Sequence, residues 1–198
     1  MLKFERHRLA AQVAPGVQPY VEAFAQRYGA LPTGYWEDEY VLGFVPAMAG
    51  LIVKALTRGQ IGERDALAVV RECLDNITGG HGGDIMGRVE RLALTQSSEF
   101  VSGARAAGKV MGFSAGQLPA DDADLQRARK AAGIAPAAPH RTPELFAATA
   151  TALVNLLFYD PVNQRLMGAT TLPETDSTAG SDTLESELTP DGSVTVRF

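Results

Sequence analysis

The sequence predicts an all-α fold: a bundle of five to seven helices around a buried central helix, with an acidic C-terminal linker and a terminal β-hairpin. Three observations lead there. Ala and Gly make up about a quarter of the 198 residues, and strand-forming residues are sparse. The longest apolar run, Val41–Val53, is 13 residues and ends at Lys54, short of the ~20 needed to span a bilayer, so it reads as a core helix. Helix caps and Gly or Pro stops punctuate the chain to about residue 169, and polarity alternates only near its end.

Residues 1–16 read as a charged N-terminal arm, closed by Pro15, Gly16 and Pro19, before a short helix Val21–Tyr28. Thr33 is the expected N-cap of the central helix, which runs to about Leu56 with Trp36, Tyr40, Phe44, Met48, Leu51, Ile52 and Leu56 on its main face. Val41, Leu42 and Val45 lie on its other sides, and an all-round apolar helix belongs in the middle of a bundle. Pro46 should kink it and free the Leu42 carbonyl.

A turn at 57–62 leads to a helix over 63–78 with the stripe Ala66, Val69, Val70, Cys73, Leu74 and Ile77. The run Gly79–Gly83 breaks the chain, and Asp84 is the expected cap of one long helix over 85–112. A polar helix spans Asp121–Ala132, and Pro136, Pro139 and His140 make a stiff connector. Thr142-Pro143-Glu144 starts a helix that Asp160-Pro161 should stop.

The expected organisation is a helical core over 1–169, a flexible linker over 170–183 and a hairpin over 184–198. The formal net charge of -5 resides in residues 170–198, where Glu174, Asp176, Asp182, Glu185, Glu187 and Asp191 face only Arg197. The body is balanced, which argues against a nucleic-acid binder. In the tail Leu184 and Leu188, then Val194, Val196 and Phe198, alternate around the turn Pro190-Asp191-Gly192. An isolated hairpin is marginal in water, so it calls for a surface to rest on.

No catalytic constellation stands out. Gly79–Gly87 fits one copy of the calcium-binding nonapeptide of secreted repeat toxins, but such coils need stacked neighbours. Gly82–Gly87 lacks the Lys-Ser/Thr of a phosphate loop. His7, His81 and His140 are dispersed, Cys73 is the only cysteine, and no metal or cofactor is expected. The candidate ligand site is the loop Gly80, His81, Gly82, Gly83 and Asp84, whose amides at a helix start suit an anion. Gly108, Gly112 and Gly116 recur every four residues and could let another backbone approach closely.

These features favour a non-enzymatic interaction or assembly protein. Its core would carry a hairpin that docks on its own subunit, a second copy or a partner, with Gly108 and Gly112 as a further contact. The alternative is a small enzyme or ligand-binding protein using His81. The expected partner is a protein or a second copy, with no nucleic acid and no membrane span. The charged N-terminus and lone thiol point to a cytoplasmic location.

Overall fold

A computed structural model describes residues 3–135 and 142–168, and every regular element among them is helical. The linker, the hairpin residues Leu184, Leu188, Val194, Val196 and Phe198, and the connector 136–141 lie outside the described residues.

The first helix, α1 (Lys3–Tyr28), corrects the expected arm: it passes through Pro15 and Pro19 without a break. Both prolines lie on the solvent side, as do Ala11 and Pro15, whose carbonyls they deprive of an amide partner. Water can satisfy those carbonyls. On the other side Ala10, Val13, Val17, Val21 and Phe24 are buried. Val13, Val17, Val21 and Phe24 each contribute about 1.5–3 kcal/mol by burial, which together offsets the ~3 kcal/mol cost of each of the two helical prolines. The stripe has coiled-coil spacing and packs against α2 (Glu39–Leu56) and α3 (Glu63–Thr78).

Helix α2 starts later than Thr33. Gly34, at φ 83°, opens a turn over 33–37 that a helix cannot contain, and Asp38 caps instead, accepting the Val41 amide at 3.0 Å. Residues Tyr40–Pro46, Met48, Ala49 and Val53 are buried, and α2 touches α1, α3, α4 (Gly82–Thr95) and α5 (Ser98–Ser114). Its most extensive contact is with α5. There two glycines face backbone: a methyl group on Gly43 would overlap the Phe100 carbonyl, and one on Gly103 would overlap the Tyr40 carbonyl. The two main chains therefore touch, as small residues at an interface permit.

Helix α3 has the expected bounds and buries Val69, Val70, Cys73 and Leu74. The long helix over 85–112 is instead two helices. Gln96 takes φ 49°, and Ser97 caps α5, accepting the Phe100 amide while its hydroxyl bonds Glu39. A cap hydroxyl and an anchoring carboxylate outcompete the continuous stripe. Helix α6 (Ala123–Ala131) is capped by Asp122 and stops at Gly133, at φ 69°.

Thr142 caps α7 (Pro143–Leu166), but Asp160-Pro161 does not stop it. The helix widens into a π-helical turn at Asn155–Tyr159 and continues as α-helix over Asp160–Leu166. A proline at 161 strands the Leu157 carbonyl one turn back, and the Tyr40 hydroxyl of α2 donates to that oxygen. Phe158 then stacks on Phe44 at 4.3 Å within an aromatic cluster that includes Tyr20, Phe24 and Tyr35. Burial pushes the Tyr20 phenol up to about 12, with the nearby Tyr159 adding to the effect.

Lys109 of α5 bridges Asp122 and Asp124 of α6, with 2.8 Å to Asp122. Burial would raise both carboxyl pKa values. The bonds from Lys109, from the Leu125 and Asp124 amides to Asp122, and from Arg127 to Asp124 outweigh it and hold both low. A depressed folded pKa contributes stability above about pH 4 that is lost as pH falls through the folded value. We therefore expect the wild type to lose more stability than Lys109→Met between pH 4.5 and about pH 2, read from urea midpoints; parallel curves would reject the linkage. We also expect Gly43→Ala and Gly103→Ala each to lose at least about 2 kcal/mol, whereas Gly108→Ala, with open space around its Cβ, gains about 0.5–1 kcal/mol in the same denaturation assay.

Candidate functional site

The loop between α3 and α4 is built around Asp75. Gly79 ends α3 in the left-handed region at φ 69°, Gly80 donates its amide to the Asp75 carbonyl at 2.9 Å, and the His81 amide reaches Thr78 Oγ1 at 3.1 Å. The Asp75 carboxylate accepts the Gly82 amide at 2.8 Å. One of the amides expected to meet an external anion thus already holds a carboxylate of the neighbouring helix.

Gly82 and Gly83 also have a packing reason. A methyl group on Gly82 would lie 2.5 Å from the Asp75 amide nitrogen, and one on Gly83 would lie 2.9 Å from Arg71 Nη2. Helix α4 begins at Gly82 rather than after Asp84, so Asp84 occupies its first turn, where a negative charge suits the helix dipole. His81 Nδ1 stands 3.9 Å from Asp84 Oδ2, and the two side chains are 73% and 86% exposed.

The predicted loop residues divide between two openings. His81 and Asp84 edge a cleft of about 380 Å³ with Trp36 and Arg88, and Arg88 is bonded to the Trp36 carbonyl at 3.0 Å and to Glu37 at 2.8 Å. Gly83 lines a separate cavity between α1, α3 and α4. Gly82 is buried, and Gly80 holds the turn at φ 105°.

The glycine series of α5 is also placed differently from expectation. No atom of a neighbouring element approaches a Cβ at Gly108, Gly112 meets only the Leu118 amide at 3.9 Å, and Gly116 turns the chain at φ 67°. The close backbone approach belongs to Gly43 and Gly103, which sequence reading passed over. The signal for it was available: Gly43, Ala47 and Gly50 are small residues on one face of an otherwise bulky apolar helix.

Gly108 instead walls an apolar groove of about 700 Å³. Its floor is Gly43, Ala47 and Gly50 of α2 and Ala104 of α5, and its sides include Leu51, Leu67, Val70 and Phe100, with Lys54 and Glu63 as its charged members. Elsewhere α7 runs from Leu145 to Tyr159 without a charged residue, and only 22% of its most apolar window is buried. Both α2 and α7 are long and apolar enough to cross a membrane, but 56% of the α2 window is buried in the core.

Cys73 is buried, and burial pushes its thiol up to about 11, the reverse of nucleophile activation. Among the described residues no group of three or more His, Cys, Asp or Glu side chains converges on a metal position. Compared with known protein families, curated proteins and solved structures, the chain matches none.

The loop geometry makes opposite demands of neighbouring residues. Gly82→Ala should cost about 1–3 kcal/mol through overpacking, while His81→Ala should leave stability within about 0.5 kcal/mol. Thermal and urea unfolding check both; a neutral Gly82→Ala would remove the packing reason for the loop.

Proposed function

We propose that the protein is a non-enzymatic assembly protein that associates with a second copy of itself. The observation that carries this reading is the pairing of two uncharged surfaces on one chain: the apolar groove beside Ala47 and Gly50, and the outer face of α7, where Phe146, Ala147, Ala148, Thr151 and Asn155 are exposed. A floor of small residues lets a visiting helix approach closely, and the visitor must be apolar and uncharged along its length. Residues 145–159 carry no charge, and Phe146, stacked on Phe113 at 4.8 Å, leaves part of its ring exposed as an aromatic anchor. The tail segment 184–198 is a second proposed contact, by addition of its strands to a partner.

The ligand-binding alternative at His81 has less support. His81 and Asp84 are solvated, and the nearby Arg88 is occupied by Glu37.

Gly108→Leu separates assembly from folding. The position has room for a side chain, and leaving glycine favours the helix by about 0.5–1 kcal/mol, yet leucine would fill the groove wall. We expect the full chain to elute as an oligomer in light-scattering-coupled sizing, Gly108→Leu to be monomeric and at least as stable, and a paired Ala47→Cys/Ala148→Cys mixture to form intermolecular disulfides. Deletion of 170–198 reports the tail's share of the contact. A full chain that is monomeric up to about 100 μM, where standard-sized interfaces are populated, would overturn the reading.

A further inference from the structure

We propose that the cavity between α1, α3 and α4 is a binding site for a phosphate-bearing ligand, held by Arg6, Arg64 and Arg71. The cavity measures about 1120 Å³ and is open on one side. It is distinct from the His81 cleft and does not rest on the assembly reading.

The charges that line it divide into occupied and unoccupied groups. Glu72 is bonded to His7 Nδ1 at 2.8 Å, and Asp75 holds the Gly82 amide. Glu63 and Glu90 also face the cavity and, among the described residues, have no hydrogen-bond or ion-pair partner, so the unoccupied charges are three guanidinium groups and two carboxylates. None of the three guanidinium groups forms an ion pair or hydrogen bond among the described residues. Arg6 Nε is shielded from water and has no acceptor. A buried donor without a partner is costly, and a small shift of the Arg6 side chain would bring that donor to an oxyanion of a bound ligand.

The placement of Arg71 points the same way. Its guanidinium lies over Gly83, so a positive side chain is set beside the positive end of α4. The absent Gly83 side chain is what gives it room. Two positive features held together favour an anion between them. Arg64 stands seven residues before Arg71 on α3, two turns away on the same face, and Arg6 enters from α1. A planar fork of donors suits phosphate oxygens better than a point charge does. Leu67, Ala68 and Met86 provide an apolar wall for the organic part of the ligand.

The ligand chemistry is a phosphate group, whether of a free organic phosphate or of a lipid headgroup. Sodium pyrophosphate, titrated calorimetrically into the full chain at constant ionic strength, is the primary probe. Co-sedimentation with vesicles of phosphatidylcholine, with and without phosphatidic acid, forms the second arm. We expect saturable binding in at least one arm, weakened at least tenfold by Arg64→Ala and by Arg71→Ala. Both side chains are exposed, and circular dichroism checks that both variants keep their helices. His81→Ala should bind as the wild type does, which places the ligand in this cavity and not in the neighbouring cleft. Pyrophosphate binding assigns a free phosphate, and binding confined to phosphatidic acid vesicles assigns a headgroup. No binding in either arm beyond a chloride control, or unchanged affinity in both arginine variants, would overturn the site.

Discussion

The backbone contacts at Gly43 and Gly103 set the geometry of the helical body. They bring the Phe100 and Tyr40 carbonyls against the facing helix, so α2 and α5 approach more closely than side chains allow. With α5 pressed against it on one side, α2 is left to meet α1, α3 and α4 on the others, and its all-round apolar surface becomes the core. The same spacing explains the groove. Small residues continue along α2 to Ala47 and Gly50 and along α5 to Ala104 and Gly108, where Gly50 meets only a Val70 methyl at 3.9 Å and the space beside Gly108 is open. One pattern therefore produces both the tightest packing and the least filled apolar surface.

The prolines show how strongly context decides a local rule. A helical proline costs about 3 kcal/mol chiefly because it orphans a carbonyl and crowds the preceding turn. Pro15 and Pro19 orphan carbonyls that face water, and hydroxyls of Tyr35 and Tyr159 fasten the adjoining Tyr20 and Pro19 carbonyls at 3.0 and 3.2 Å. Pro161 orphans the Leu157 carbonyl on a half-buried turn, and there Tyr40 supplies the donor. These tyrosines tie α1, α2 and α7 together beside the prolines of α1 and α7.

The legible parts of the chain are those where a helix declares itself by its own residues. The stripe of α3, the cap of α7 at Thr142 and the apolar body of α2 needed no partner to be recognised. The continuity of α1 was hidden because its prolines are louder than its Val13, Val17, Val21 and Phe24 stripe. The break at Gln96 was hidden because Ile85 to Val110 keeps a plausible period across it, and the decisive partner, Glu39, is 58 residues from Ser97. The glycine loop was visible as a break, but its cause was not: Gly82 is set by Asp75 and Gly83 by Arg71, both on the preceding helix. Periodicity describes one helix at a time, whereas a cavity is a property of three.

Helix α3 is the wall on which the two proposed surfaces meet. Glu63, Leu67 and Met86 line both the apolar groove and the arginine cavity, so the openings share side chains while differing in chemistry. Leu67 is about half exposed and stands at the edge of both. An apolar helix in the groove would draw it to that side, and the organic part of a phosphate ligand would draw it to the other. Two occupants that compete for one side chain have a coupling free energy between them, and that coupling is reciprocal: whatever ligand does to assembly, assembly must do to ligand affinity. With an electrically balanced body, and with Glu63, Glu72, Asp75 and Glu90 lining the cavity beside them, the three guanidinium groups without a partner among the described residues are not part of a general basic surface. The arginine cavity and the apolar groove are thus separated by one face of α3.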